Sequence, residues 1–168
     1  IETLRQQIMQ ATVAKLYPSD YMKTVSAGKE HLFNNRPEEA LAEFDKAIQL
    51  DPKPALAFFY RGQAKRLKEL LDEASGSFSK GLKVNKIHYK CLVGLFELLM
   101  EKKDFEEAYD VVKKIARYFP ANPKRMGQIL KLAIMTKSYE DIERYYQTFT
   151  ELDERGDELI KYILSLIH

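Results

Sequence analysis

Thiol chemistry has almost no foothold in this sequence. Its one cysteine, Cys91, excludes an internal disulfide and a multi-thiolate metal site. Set in the apolar run KCLVGLFELLM, it reads as a buried thiol rather than a nucleophile. A lone thiol fits a reducing, cytoplasmic compartment. No segment approaches the roughly 18 consecutive apolar residues of a membrane span, and no signal-peptide pattern is present. Neither sign of charge dominates. Lys+Arg 27 against Asp+Glu 25 leaves +2, too weak a field to favour nucleic acid or an anionic membrane. Breakers are scarce: Gly 7 and Pro 6 in 168 residues leave long stretches free for helix, and the prolines fall where helices would begin or end. The chain starts at Ile1 without a Met, which reads as a piece of a longer protein.

What the sequence does have is repetition. EEALAEFDKAIQLDP, DEASGSFSKGLKVN and EEAYDVVKKIARYFP place Ala40, Ala74 and Ala108 at a spacing of 34. Phe44, Phe78 and Val112 keep the same step, as do Ala47, Gly81 and Ile115, and Pro52 and Pro120 with Lys86 between them. Upstream, Gly28 and Gly62 obey it and Phe96 breaks it. A fixed period between 20 and 50 residues marks a solenoid. Each period holds two helical patterns. Ala40, Leu41, Phe44, Ala47 and Ile48 form one helical face, and Val25, Ala27, Gly28, His31 and Leu32 form another. Asp20 is expected to cap the first helix, and NNRP to turn the chain into the second. Small residues recur because two helices approach closely only where side chains are short.

These residues resemble the tetratricopeptide repeat, whose pattern has small residues at its eighth, twentieth and twenty-seventh positions, an aromatic at the twenty-fourth and Pro at the thirty-second. Gly28, Ala40, Phe44, Ala47 and Pro52 match it in the first unit, and Gly62, Ala74, Phe78 and Gly81 in the second. The third keeps Ala108 and Pro120 but departs at Phe96, Val112 and Ile115; a degenerate fourth places Leu130, Ile142, Tyr146 and Phe149 in phase. The resemblance implies an all-α, right-handed α-solenoid of helix hairpins, about ten helices in one domain. Its expected parts are an N-terminal flanking helix (1–18), repeats at 21–54, 55–88, 89–122 and 123–156, and a C-terminal capping helix (157–168). Ile1, Leu4, Ile8 and Ala11 stripe the first flank, and Leu159, Ile160, Ile163 and Leu166 the last.

No active site emerges. His31 reads as a satisfied core imidazole, His88 as a capping or solvated residue at a unit boundary, and His168 as a terminal one. Metalloprotease, phosphate-loop and nucleophile-elbow motifs are missing. Glu38–Glu39, Asp72–Glu73 and Glu106–Glu107 sit where second helices start, and there the helix dipole accounts for them. The chain is therefore expected to be non-catalytic, with no cofactor and no metal.

Binding is the better expectation. The resemblance implies that first helices line a concave groove for a partner peptide. Its positions here are Met22, Val25, Lys29 and Phe33, then Leu56, Phe59, Gln63 and Arg66, then Lys90, Val93, Glu97 and Met100, then Lys124, Gly127, Lys131 and Ile134. An apolar floor with lysines beside it suits an amphipathic peptide carrying acidic residues. Gly94 and Gly127 lie inside first helices, where close packing, or a ligand's backbone approaching across the groove, is expected to offset a cost of about 1 kcal/mol relative to Ala. Members that grip chaperone C-terminal tails use Lys and Asn in the first unit, Asn in the second, and Lys and Arg in the third. The matching positions here, Val25, Lys29, Tyr60, Lys90 and Gly94, keep two cations and no asparagine, so that partner is disfavoured. A competing reading is a scaffold or self-association domain of a signalling protein, with two copies pairing through the N-terminal helix. Helical-repeat RNA binding conflicts with the near-neutral charge.

Overall fold

The computed structural model describes residues 4–9, 19–120 and 123–152. Every regular element among them is helical: α1 Asp20–Phe33, α2 Pro37–Leu50, α3 Ala55–Leu67, α4 Leu71–Val84, α5 Tyr89–Lys102, α6 Phe105–Tyr118, α7 Pro123–Met135 and α8 Tyr139–Leu152. Residues 4–9 are helical as well. The rest of the expected N-terminal flank, including Ile1 and Ala11, the C-terminal cap over 157–168 and His168 lie outside the described residues. The chain divides into two compact units, Ile1–Cys91 and Leu92–His168.

In the first unit α1 packs on α2 and α3 on α4, while α3 also meets α2 and α1. The sequence explains how helices come this close. Gly28 lets the ring of Phe44 lie across α1, and Gly62 does the same for Phe78 on α3; both rings are completely buried. Ala40, Ala47, Ala57 and Ala64 join Phe44, Tyr21 and Val25 in one buried cluster, with Leu32, Leu41, Ile48, Leu56 and Tyr60 packed against it. Aromatic rings supply the buried area and short side chains supply the space.

In the second unit α7 packs against α6 and α8. Its interior is more aliphatic, with Leu92, Leu98, Leu99, Val112, Ile115, Met126, Ile129 and Leu132 almost fully buried. Phe96 and Val112, which break the small-then-aromatic pattern, are both buried, at 3% and 0% exposure. Here the large side chain belongs to the first helix and the smaller one to the second. Gly94 is also buried, and Leu130 is 2% exposed. Ile142 is half-buried and Tyr146 exposed, while the Phe149 side chain lies outside the described residues.

Four turns repeat in phase across the chain. Asn35, Glu69, Lys103 and Lys137 each have positive φ, at 55°, 60°, 59° and 55°. Each follows a first helix, and the next residue's N–H returns to a carbonyl five positions back: Arg36 to His31, Leu70 to Lys65, Asp104 to Leu99 and Ser138 to Ala133. This is the Schellman closure, which satisfies the orphan carbonyls of a helix end. None of the four residues is glycine, so the tertiary fold holds a backbone conformation that local preference opposes. The acidic pairs expected at second-helix starts occupy first turns of α2, α4 and α6.

Two caps differ from expectation. Ser19, not Asp20, caps α1, its hydroxyl accepting from the Met22 N–H at 3.3 Å; Asp20 is already the first helical residue. Pro54 precedes α3 and offers no side-chain acceptor. The Tyr21 hydroxyl takes that role from the preceding hairpin, accepting from the Ala57 N–H at 3.1 Å.

Candidate functional site

Within the first unit, α1, α3 and the first turn of α5 bring side chains to one aromatic pair. Phe59 and Tyr60 are neighbours on α3, with ring centroids 4.9 Å apart and edge to face. Tyr60 stacks at 5.7 Å on the buried Phe44, and Phe59 tilts against the buried Phe78 at 6.0 Å. The pair therefore rests on the two rings that the glycines admit. Above it stand two exposed lysines. Lys29 of α1 holds its ammonium 5.4 Å from the Tyr60 centroid. Lys90 of α5 holds its own 5.6 Å from Tyr60 and 5.8 Å from Phe59. Each contact contributes about 0.5–1 kcal/mol at an exposed site. Two like charges over one ring repel each other, and a carboxylate placed between them would relieve that repulsion.

The start of α5 is fixed by a small polar knot. His88 Nδ1 accepts from the Cys91 N–H at 3.3 Å and lies 3.1 Å from the Cys91 sulfur. An acceptor at Nδ1 places the ring proton on Nε2 and keeps the imidazole neutral. Burial, and then the charge of Lys90, lower the His88 pKa below its ordinary value. The Cys91 sulfur reaches toward the Ala55 carbonyl at 3.9 Å and fills the space that a Cβ on Gly81 would need, 2.7 Å away. Burial pushes its pKa up to about 12, so the thiol stays protonated and serves packing, as the apolar run implied. Proximity of His and Cys here is a helix cap, not a nucleophile and its base.

The expected groove positions divide by environment. Lys29, Phe59 and Lys90 come together, and Tyr60, missed as a site residue, is what unites them. Val25 corrects the expectation of an apolar floor at that position: at 1% exposure it belongs to the core cluster and presents no surface. Leu56 is half-buried against the same core, Gln63 and Arg66 are half-buried, and Phe33 at the end of α1 is 91% exposed. In the second unit Glu97, Lys124 and Lys131 are exposed, while Val93, Met100, Gly127 and Ile134 are half-buried. His31 differs from a satisfied core imidazole, since it is half-buried and its Nδ1 has no hydrogen-bond partner among the described residues. No sequence signal singled out the Tyr60 ring, because its position repeats as Ser26, Tyr60 and Gly94.

Solved structures share this fold at low identity. The chain is similar to YrrB, a TPR protein with an unusual peptide-binding site, over 94% of its length and 84% of that chain, at 18% identity and a TM-score of 0.70. It is similar to a tetratricopeptide repeat protein from Parabacteroides merdae over 86% of its length and 60% of that chain, at 16% identity and a TM-score of 0.71. The chain has the tetratricopeptide-repeat fold. In sequence, the repeats are 26% identical over 134 residues to anaphase-promoting complex subunit 3 of Schizosaccharomyces pombe, a match covering 77% of this chain. The chain spans only 20% of that relative's length. No family model matches it. Among the described residues, no group of His, Cys, Asp and Glu is placed to hold a metal ion, and no helix is long and apolar enough to cross a membrane.

Proposed function

We propose that the chain is a non-catalytic protein-interaction module that holds a partner peptide over Phe59 and Tyr60, between Lys29 and Lys90. The observation that carries this reading is the pair of exposed ammonium groups over one aromatic platform. The partner that fits is amphipathic: an apolar side chain on the rings and a carboxylate between the lysines. Leu56, Gln63 and Arg66 extend the surface along α3. Within the second unit by itself, Val93, Glu97, Met100, Lys124, Gly127 and Lys131 are the positions that the repeat resemblance assigns to partner binding. The peptide-binding description of YrrB supports it, as a likeness of fold. The match to one fifth of anaphase-promoting complex subunit 3 supports a module within a larger protein. A reducing, cytoplasmic setting agrees with the lone buried thiol.

The test is fluorescence anisotropy with a panel of amphipathic peptides that differ in acidic content. Acidic members should bind, weaken as salt rises, and lose at least tenfold in affinity with Lys29→Glu plus Lys90→Glu, while the helical circular dichroism stays unchanged. Equal binding by that exposed-site double variant would overturn the reading.

A second reading, self-association, draws on Leu4, Ile8 and Met9, which are 62%, 58% and 64% exposed on the helical stretch 4–9. Leu4 and Ile8 share one helical stripe. Light scattering should then report a dimer that Leu4→Glu converts to monomer, and a monomer before substitution rejects it.

A further inference from the structure

A recess of about 580 Å³ opens in the first unit, where α1 begins, α2 ends and α3 begins. Met22, Leu50, Pro54 and Leu56 make much of its wall apolar, and Met22 and Leu50 are exposed there rather than packed away. The charged residues of the lining are Asp20 and Asp51, and among the described residues no cation lines it.

The two carboxylates are not equivalent. Asp20 lies 3.5 Å from the Lys23 ammonium, so its charge already has a partner. Asp51 is half-buried, and its Oδ1 accepts from the Lys53 N–H at 3.0 Å, a neutral donor. Among the described residues no cation forms an ion pair with Asp51. Its field reaches the neighbouring ring: burial is the main cause that raises the Tyr21 pKa, and the Asp51 charge adds to it. A carboxylate beside an apolar wall gains more from a cation than one in open water does.

The recess continues the Phe59–Tyr60 platform. Met22 and Lys29 are seven residues apart on one face of α1, two turns or about 10 Å. Leu56 and Tyr60 are four apart on α3, one turn or about 6 Å. A peptide whose carboxylate sits between Lys29 and Lys90 therefore meets the recess two or three residues further on, at about 3.3 Å per extended residue.

We propose that the recess takes an arginine side chain of that same partner peptide. The aliphatic stem lies along Met22, Leu50 and Leu56, and the guanidinium meets the Asp51 carboxylate. Its several N–H donors suit the Asp51 oxygen that the Lys53 N–H leaves open. A purely apolar side chain would instead cover that carboxylate without pairing it, which costs free energy. Opposite charges at the two ends fix the register of the partner. The position of the peptide rests on the Lys29–Lys90 reading.

The test is fluorescence anisotropy on the full chain with acidic peptides of one sequence. The residue two or three positions to either side of the carboxylate is arginine, methionine or alanine; methionine supplies an unbranched stem without the charge. At the productive position arginine should bind at least fivefold more tightly than methionine. Asp51→Asn keeps an acceptor for the Lys53 N–H and should remove that advantage, while leaving the alanine peptide within twofold. Helical circular dichroism confirms that the variant is folded. Arginine no better than methionine at every position, or an advantage that survives Asp51→Asn, would overturn the proposal. The alanine peptide judges the platform separately. If Lys29→Glu plus Lys90→Glu leaves its binding unchanged, the platform reading fails; if it still depends on the lysines and arginine adds nothing, the recess alone fails. Self-association by light scattering that Met22→Glu abolishes would assign the recess to a second copy and also overturn the proposal.

Discussion

A Cβ built on Gly62 lies 2.5 Å from Cε1 of Phe78, a ring with no exposed surface. Gly28 and Phe44 stand in the same relation at the same distance, one repeat earlier. The contact is far inside ordinary van der Waals separation, and a ring packed on all sides has nowhere to retreat.

Gly62→Ala should therefore destabilise the protein even though alanine is the better helix former. Overpacking costs about 1–3 kcal/mol, against about 1 kcal/mol gained in propensity. Gly76 provides the control, since it lies within α4 and a Cβ there meets nothing within 4 Å. Gly76→Ala should stabilise by about 1 kcal/mol. Urea-unfolding midpoints should move in opposite directions for the two variants.

The positive-φ turns make a second prediction. Glu69 at φ 60° adopts a conformation that costs a residue with a Cβ about 1–2 kcal/mol, while glycine gives up about 0.5–1 kcal/mol of chain entropy instead. Glu69→Gly should raise the thermal midpoint by an amount corresponding to about 0.5–1 kcal/mol. Calorimetry that shows a lower midpoint would mean that the Glu69 side chain contributes more than its backbone costs.

Tyr21 ties one hairpin to the next through a single hydrogen bond. Tyr21→Phe keeps the ring but leaves the N–H of Ala57, a residue with no exposed surface, without its acceptor. The expected loss is about 1–3 kcal/mol by denaturant titration. A neutral result would imply that water replaces the hydroxyl.

His88 confers a pH dependence whose sign follows from its lowered pKa. The unfolded chain takes up the proton near the ordinary value of 6.5, before the folded chain does. The cap's contribution is thus fully present above pH 6.5 and is lost as pH falls through the lower folded value. His88→Asn retains an acceptor at the cap and removes the titration. Unfolding midpoints between pH 7.5 and 5.5 should fall more steeply for the wild type than for this variant.

Much of the fold was legible because it is written as a period. Gly28, Ala40, Phe44 and Ala47 return 34 residues later as Gly62, Ala74, Phe78 and Gly81, and side-chain size alone dictates which surfaces can touch. Phe96 and Val112 looked like failures of the pattern, yet both are buried like the residues they stand in for. The site was legible in part. Lys29, Phe59 and Lys90, expected by position, lie near one another, whereas Tyr60 has no periodic signature and Val25 follows the groove spacing yet lies in the core.

By itself the sequence determined the helix hairpins, their phase and the close approaches at glycine and alanine, because those depend on local periodicity and side-chain volume. The tertiary structure decided what single residues do. It made Tyr21 the cap of α3 and Tyr60 the ring beneath two lysines. The Tyr21 and Tyr60 contacts join side chains from different helices, and their distances are set by packing rather than by spacing along the chain.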